Sequence, residues 1–285
     1  MVRIVTDAAV RFASTNFAPQ HDVTIAPISV HCGNIQIPDG PEVNLASLRS
    51  SLETCTPDIT VAGPSVEAMS EIYRGLNLTT SQVISIHTSA GLIDTYQNAL
   101  EASHQFRGRM DIQVIDSQSV SIGLGLLVQG AVQAASRGDS YDAIIRLVRG
   151  LIARMYVVIF LEDLFFLERN DLVSRSQAIL GNMLGIVPFL TLEDGCLIPM
   201  EKVRSRMRAI EKLIEFISEF STLDHLGLIQ PNIQETTESQ AIMDRLRLIY
   251  PSTPFSINSY GPTLAAFLGL DCLGAVVLES VDRGM

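Results

Sequence analysis

Short β-branched apolar runs that alternate with helical patterns constrain this chain more than any other feature. Arg3–Thr6, Val23–Val30, Ile59–Ala62, Val83–Ile86 and Ile112–Ile115 read as strands. Helical patterns occupy Leu45–Leu52, Val66–Leu76, Tyr96–Phe106, Val120–Ala135 and Tyr141–Met155. Strands that parallel one another need a crossover of helical length, so the alternation predicts an α/β parallel sheet with helices on both faces. Ligands of such sheets gather where the strands end.

The stretch Val83–Ala99 is the one around which a site is expected. Its strand runs into His87-Thr88-Ser89, a small-residue turn follows, and a helix begins near Asp94-Thr95. Side-chain hydroxyls and the unpaired N–H groups of a helix start then meet at one spot, which suits an oxygen-rich group.

After Met155 the pattern changes. Tyr156–Phe160 is a strand, and Glu193-Asp194-Gly195-Cys196 is a hairpin turn between apolar runs, so consecutive strands pair directly. Apolar stripes over Ala209–Phe220 and Ala241–Tyr250 predict helices packed on a sheet. The expected division is an α/β domain over 1–154 carrying the hydroxyl-rich loops and an α+β domain over 155–285.

With 285 residues, 47% of them apolar, the chain can bury a large core. A net charge of −11 and the absence of a long basic run argue against nucleic acid or an anionic membrane as partner. The tract Leu264–Leu278 is too short and too interrupted, by Gly269, Asp271 and Gly274, for a membrane span. An integral membrane protein is therefore not expected. The opening MVRIVTDAAV lacks the features of a signal peptide, so a cytoplasmic location is expected. Cys32, Cys55, Cys196 and Cys272 are scattered, which fits structural thiols better than a disulfide or zinc framework.

Ser89 and His87 are the first candidates for chemistry, as nucleophile and base of a serine hydrolase. No Gly-x-Ser-x-Gly elbow surrounds them, and a loop serine donating a hydrogen bond is the favoured reading. A second hydroxyl cluster, Asp116–Ser121, precedes Gly123-Leu124-Gly125 and reads as the cap of a buried helix whose glycines let it approach the sheet. In Lys202–Arg208, strand alternation would put Lys202, Arg204 and Arg206 on one face, either to meet a phosphate or acidic partner or to protect an edge. The five histidines show no metal-binding spacing, so neither a metal nor a cofactor is expected.

Taken together, these stretches resemble the DegV family of bacterial fatty-acid-binding proteins. The resemblance rests on Ile4-Val5-Thr6-Asp7, Ile28–Gly33 with Asp39-Gly40, Ile86–Ser89 with Thr95–Ala99, Val114–Ser117 through Gly125, Ser174–Ala178, Leu190–Gly195, Lys202–Arg206 and Gly261-Pro262. It implies a two-domain carrier that holds one long-chain fatty acid or related acyl lipid in a tunnel, its carboxylate at the domain interface. Some members present that lipid to a separate fatty acid kinase catalytic subunit, and the carrier itself is no enzyme. Apolar segments Val157–Phe160, Leu180–Phe189 and Leu264–Leu268 could line the tunnel.

The head-group positions depart from the family pattern. Its Thr-Ser-Gln-Pro-Ser loop corresponds to Val61-Ala62-Gly63-Pro64-Ser65, and its Ser-Ser pair to Ser89-Ala90. The family histidine falls on Phe267, and the second arginine of another loop on Leu172, whereas Arg204 and Arg206 are retained for contact with a partner or phosphate. Ser89, Val61, Ala62, Ala90 and Phe267 are thus the expected head-group residues. The remaining alternatives are the hydrolase and a ligand-free scaffold whose acidic surface docks a basic partner.

A buried carboxylate without donors costs on the order of several kcal/mol, more than the roughly 1.5–3 kcal/mol that one hydrogen bond to it contributes. For a plain fatty acid, affinity is therefore expected to rise as pH falls, and Phe267→His is expected to tighten binding near neutral pH. Titration of a fluorescent fatty acid against both proteins checks this. Strong, pH-independent binding by the parent, with no gain from histidine, is the contrary outcome.

Overall fold

The computed structural model describes residues 2–14, 16–43, 49–50 and 59–281. The expected helix Leu45–Leu52, apart from Arg49 and Ser50, and Cys55 lie outside the described residues.

A four-stranded parallel sheet, in the order β2-β1-β6-β7, is built from β1 (Arg3–Asp7), β2 (Thr24–Ala26), β6 (Gln82–His87) and β7 (Asp111–Asp116). Its outer helices include α2 (Val66–Leu76) and α3 (Thr95–Ser103) on one face and α5 (Tyr141–Ile152) on the other. Two expectations change here. The run Val23–Val30 breaks at Pro27, whose missing N–H cannot serve a ladder, so its second part leaves the sheet as β3 (Ser29–Cys32). That strand pairs antiparallel with β4 (Ile35–Pro38) and with β5 (Ile59–Ala62) in a separate three-stranded sheet.

The second half forms a six-stranded mixed sheet in the order β10-β9-β8-β13-β11-β12. Its strands are β8 (Met155–Phe160), β9 (Val187–Glu193), β10 (Cys196–Val203), β11 (Leu223–Gln230), β12 (Phe255–Ser259) and β13 (Leu273–Glu279). The expected hairpin is the β9–β10 turn. Asp194 and Gly195 both have positive φ there, the geometry that makes Asp-Gly favourable in tight hairpins. Helices α8 (Arg206–Ser218) and α9 (Thr237–Ile249) cover one face with Leu213, Ile217, Ile242 and Leu246.

Between the two large sheets lies α4 (Ser121–Ser136), which touches β1 and β6 of one and β11 and β13 of the other. A helix apolar all round belongs in such a place. Gly123 and Gly125 set its approach as expected: a Cβ at Gly125 would overlap the Arg11 carbonyl, and one at Gly123 would overlap the Ser119 side chain. The capping reading of Asp116–Ser121 is corrected, because the cap position is Val120 and no side chain caps the helix.

Two short helices, α6 (Phe165–Arg169) and α7 (Arg175–Met183), follow β8, and α10 (Pro262–Leu268) precedes β13. The basic stretch is no continuous strand, since β10 ends at Val203 and Ser205 caps α8, its hydroxyl accepting the Arg208 N–H. Lys202, Arg204 and Arg206 therefore do not share one strand face. The cysteine expectation also changes: Cys32 is in a disulfide, and Cys196 is an exposed free thiol, while Cys272 is a buried free thiol as expected, pushed up to about 12 by burial.

Gly125→Ala is expected to cost about 3 kcal/mol through the clash with the Arg11 backbone. Gly150→Ala, in α5 with nothing within 4 Å of the new methyl, is expected to stabilise by about 0.5–1 kcal/mol. Urea unfolding midpoints of the two variants measure both.

Candidate functional site

The C-terminal ends of β1, β6 and β7 converge on the loop that begins at Thr88. Asp7, closing β1, accepts the Thr88 N–H and the Thr88 hydroxyl, each at 2.7 Å. Asp116, closing β7, accepts the N–H groups of Ala90 at 3.1 Å and Gln118 at 3.0 Å. Two strand-end carboxylates thus fix the loop backbone, since charge-assisted hydrogen bonds are the stronger kind.

Ser89 is fully buried, and its hydroxyl donates to the Gly195 carbonyl at 2.5 Å. The tip of the β9–β10 hairpin is therefore seated on the loop. No side chain fits between them: a Cβ at Gly91 would meet the Gly195 carbonyl, and one at Gly195 would meet the Ser89 hydroxyl.

His87 does not pair with Ser89. Its Nε2 lies 2.7 Å from the Ser85 hydroxyl, which also receives the Tyr73 hydroxyl at 2.9 Å. Nδ1 is 3.3 Å from Asp7 without the alignment of a hydrogen bond. Asp7, Ser85, His87 and Tyr73 are all fully buried, so this chain of polar groups holds α2 and β1 to β6. The geometry provides no base for Ser89 as a hydrolase nucleophile.

Of the other expected head-group residues, Val61 and Phe267 come together. Both are half-buried and pack on Ala8, Ala9, Ile28 and Ile93. Ala62 is half-buried at the end of β5, opposite Ser29. The Ala90 N–H is committed to Asp116.

Three hydroxyl residues outside the expected head-group set line one place: Thr88 and Ser121 come from the two hydroxyl-rich stretches, and Thr263 was not singled out in the sequence. Thr88, Ser121 and Thr263, with Phe267, Leu264, Leu92 and Asp39, line a cavity of about 10 Å³. Asp39 is held there by Arg11, whose Nη2 donates at 2.7 Å, and by the N–H groups of Gly40 at 2.7 Å and Thr263 at 3.0 Å. Arg11 also donates to the carbonyls of Ala8 and Val10. Both side chains are almost wholly buried. The sequence signal was present in two forms: an arginine set in an apolar run, and a threonine directly after the proline that starts α10.

A larger apolar groove of about 580 Å³ lies under α7, walled by Leu167, Val173, Leu180, Leu184, Pro188 and Met200. That size falls within the range of ligand pockets, roughly 300–1,000 Å³. Leu167, of the groove, and Leu264 and Val120, of the small cavity, belong to one apolar cluster with Ile159, Leu190 and Leu268. Of the expected tunnel segments, Val157–Phe160 and Leu264–Leu268 contribute Val157, Ile159, Leu264 and Leu268 to that cluster, whereas Leu180–Phe189 contributes Leu180, Leu184 and Pro188 to the groove wall and Val187 and Phe189 to a separate cluster.

A sequence profile described as "Uncharacterised protein, DegV family" matches residues 1–280. The chain belongs to the DegV family. A DegV domain-containing protein of Streptomyces coelicolor is 26% identical over 278 residues, 97% of this chain and 98% of the relative. A solved structure described as fatty acid binding of a DegV family protein from Thermus thermophilus superposes with a TM-score of 0.82 at 22% identity, covering 98% of this chain and 99% of that one. The Fatty Acid Kinase (Fak) B3 protein of Streptococcus pneumoniae, solved loaded with linoleic acid, does so with a TM-score of 0.83 at 14% identity, over 98% and 100%. The DegV fold is thus shared across the whole described chain.

The two retained arginines of the DegV pattern differ in setting. Arg206 is half-buried, with Nε and Nη2 on Glu238 at 2.9 Å, Nη1 on Glu162 at 3.1 Å, and its guanidinium over the Phe160 ring. Burial opposes its charge, but its hydrogen bonds to Glu238 and Glu162 prevail and raise its pKa. Arg204 is exposed and makes no ion pair among the described residues. The same residues hold no cluster suited to a metal ion, and no helix among them is long and apolar enough to cross a membrane.

Arg11→Met leaves Asp39 buried without its cation and is expected to cost roughly 3–5 kcal/mol. Adding Asp39→Asn to that variant is expected to recover part of the loss. Urea unfolding of both single variants and the double variant near neutral pH gives the coupling.

Proposed function

We propose that this protein is a carrier that binds one long-chain fatty acid or related acyl lipid and presents its head to a separate kinase. The head lies where the domain of 1–154 meets that of 155–285, in the environment of Ser89, Val61, Ala62, Ala90 and Phe267. The chain follows the apolar cluster towards the groove under α7. The observation that carries this reading is the continuity of that cluster, from Phe267 and Leu264 to Leu167 and Val173, inside a fold shared with proteins solved with fatty acid. Burial of a long acyl chain along such a wall contributes about 0.8 kcal/mol per methylene before the costs of association.

Arg204 serves as the contact with the kinase or with the phosphate it adds. Its support is exposure: the guanidinium is unspent, whereas that of Arg206 is engaged by Glu238 and Glu162. No catalytic group is assigned, because Ser89 faces a carbonyl and His87 faces Ser85.

Denaturing extraction of the purified protein followed by mass spectrometry is expected to yield a long-chain acyl lipid in near-stoichiometric amount. Clean extracts from several preparations count against the reading. Arg204→Ala is expected to leave the melting temperature within a few degrees while weakening kinase-coupled phosphorylation of added fatty acid. A large loss of stability would make Arg204 structural instead.

A further inference from the structure

The hydroxyls of Ser121 and Thr263 are 2% and 3% exposed as residues, and neither Oγ has a hydrogen-bond partner among the described residues. Both line the small cavity beside Phe267. A buried hydroxyl left unpaired bears its desolvation cost without a compensating bond, so two of them on the wall of one cavity favour an occupant that hydrogen-bonds to both. Each can donate one hydrogen bond and accept others.

The charges around the cavity are equally informative. Its lining contains no lysine, arginine or histidine, and its one charged side chain is Asp39, an anion. Arg11 is committed to Asp39 and to two backbone carbonyls. The next carboxylate, Asp7, is bonded to Thr88 on the cavity wall, and His87 behind it faces Ser85. Among the described residues, an ionised head would meet no free cation there, since Arg11 already neutralises Asp39, whereas a neutral head would meet two unpaired hydroxyls.

We infer that Ser121 and Thr263 form the seat of an uncharged head group that both donates and accepts hydrogen bonds, as a hydroxyl does, on a long acyl or alkyl chain. The inference rests on the acyl-carrier reading and assigns the head-group specificity within it. Leu264 and Phe267, on the same wall, then take the first carbons of the chain.

Equilibrium dialysis of the delipidated full chain against oleyl alcohol and against oleate, each carried by cyclodextrin at about pH 8 where the acid is ionised in water, tests it. Oleyl alcohol is expected to bind at least about tenfold more tightly than oleate. Ser121→Gly removes one hydroxyl without strain, because φ at Ser121 is 52°, and Thr263→Val removes the other while keeping the N–H that Asp39 accepts. Each is expected to weaken alcohol binding about 3–10-fold and to change oleate binding less than twofold. Neither is expected to lower the melting temperature of the delipidated protein, since no fold contact is lost. Oleate binding as tightly as the alcohol overturns the inference and leaves the carrier reading standing. Binding of neither lipid overturns both. A preference that survives in both variants, or a marked fall in melting temperature, shows that these hydroxyls do not form the seat.

Discussion

The buried ion pair between Arg11 and Asp39 joins parts of the chain that lie far apart in sequence. Arg11 follows β1, Asp39 follows β4, and the Asp39 carboxylate also accepts the N–H of Thr263 at the start of α10. Ion pairs this deep return little net stability over a well-packed apolar substitute, because both charges lose their water. Their value lies in exact placement, since each partner is intolerable alone. Here the placement explains Gly261, where a Cβ would overlap the Arg11 guanidinium and the Asp39 carboxylate. The pair also engages the Arg11 cation beside the small cavity, so the same interaction that assembles three elements leaves the cavity lining, among the described residues, without a free positive charge.

The parallel sheet was legible because its signals are local. Val83–Ile86 is a β-branched run with a hydroxyl loop behind it, and Asp194-Gly195 names its turn by chemistry that needs no distant partner. Val23–Val30 was read as one strand because apolar character continues through it, and only the missing N–H of Pro27 divides it. In the second half the residue pattern gave directly paired strands and helices packed on a sheet, but strand order depends on pairings between distant segments that no local pattern encodes.

The site was less legible, and for a single reason. Its hydrogen bonds join residues far apart in the chain, such as Ser89 to Gly195 and Asp39 to Thr263. Ser89 donates within the protein, and no local pattern shows that its acceptor is a hairpin carbonyl. Ser121 looked like part of a cap because it sits at a helix start, yet its left-handed backbone turns the chain so that Val120 takes the cap position. The charges of Lys202–Arg206 looked alike in sequence and became different once Ser205 began a helix and Glu238 and Glu162 closed around Arg206.

The seating of the hairpin tip on Ser89 has a mechanical side. Gly195 leads directly into β10, eight residues paired antiparallel with β9 across one register shift between Pro199 and Glu201, and that strand ends one residue before Arg204. A strand of that length spans roughly 26 Å. The Ser89 contact and Arg204 are therefore at opposite ends of one strand. A molecule that draws the Ser89 hydroxyl away from Gly195 and a partner that grips Arg204 act on the same element. By reciprocity, each alters the other's affinity by an equal factor whenever the hairpin differs in position between their states.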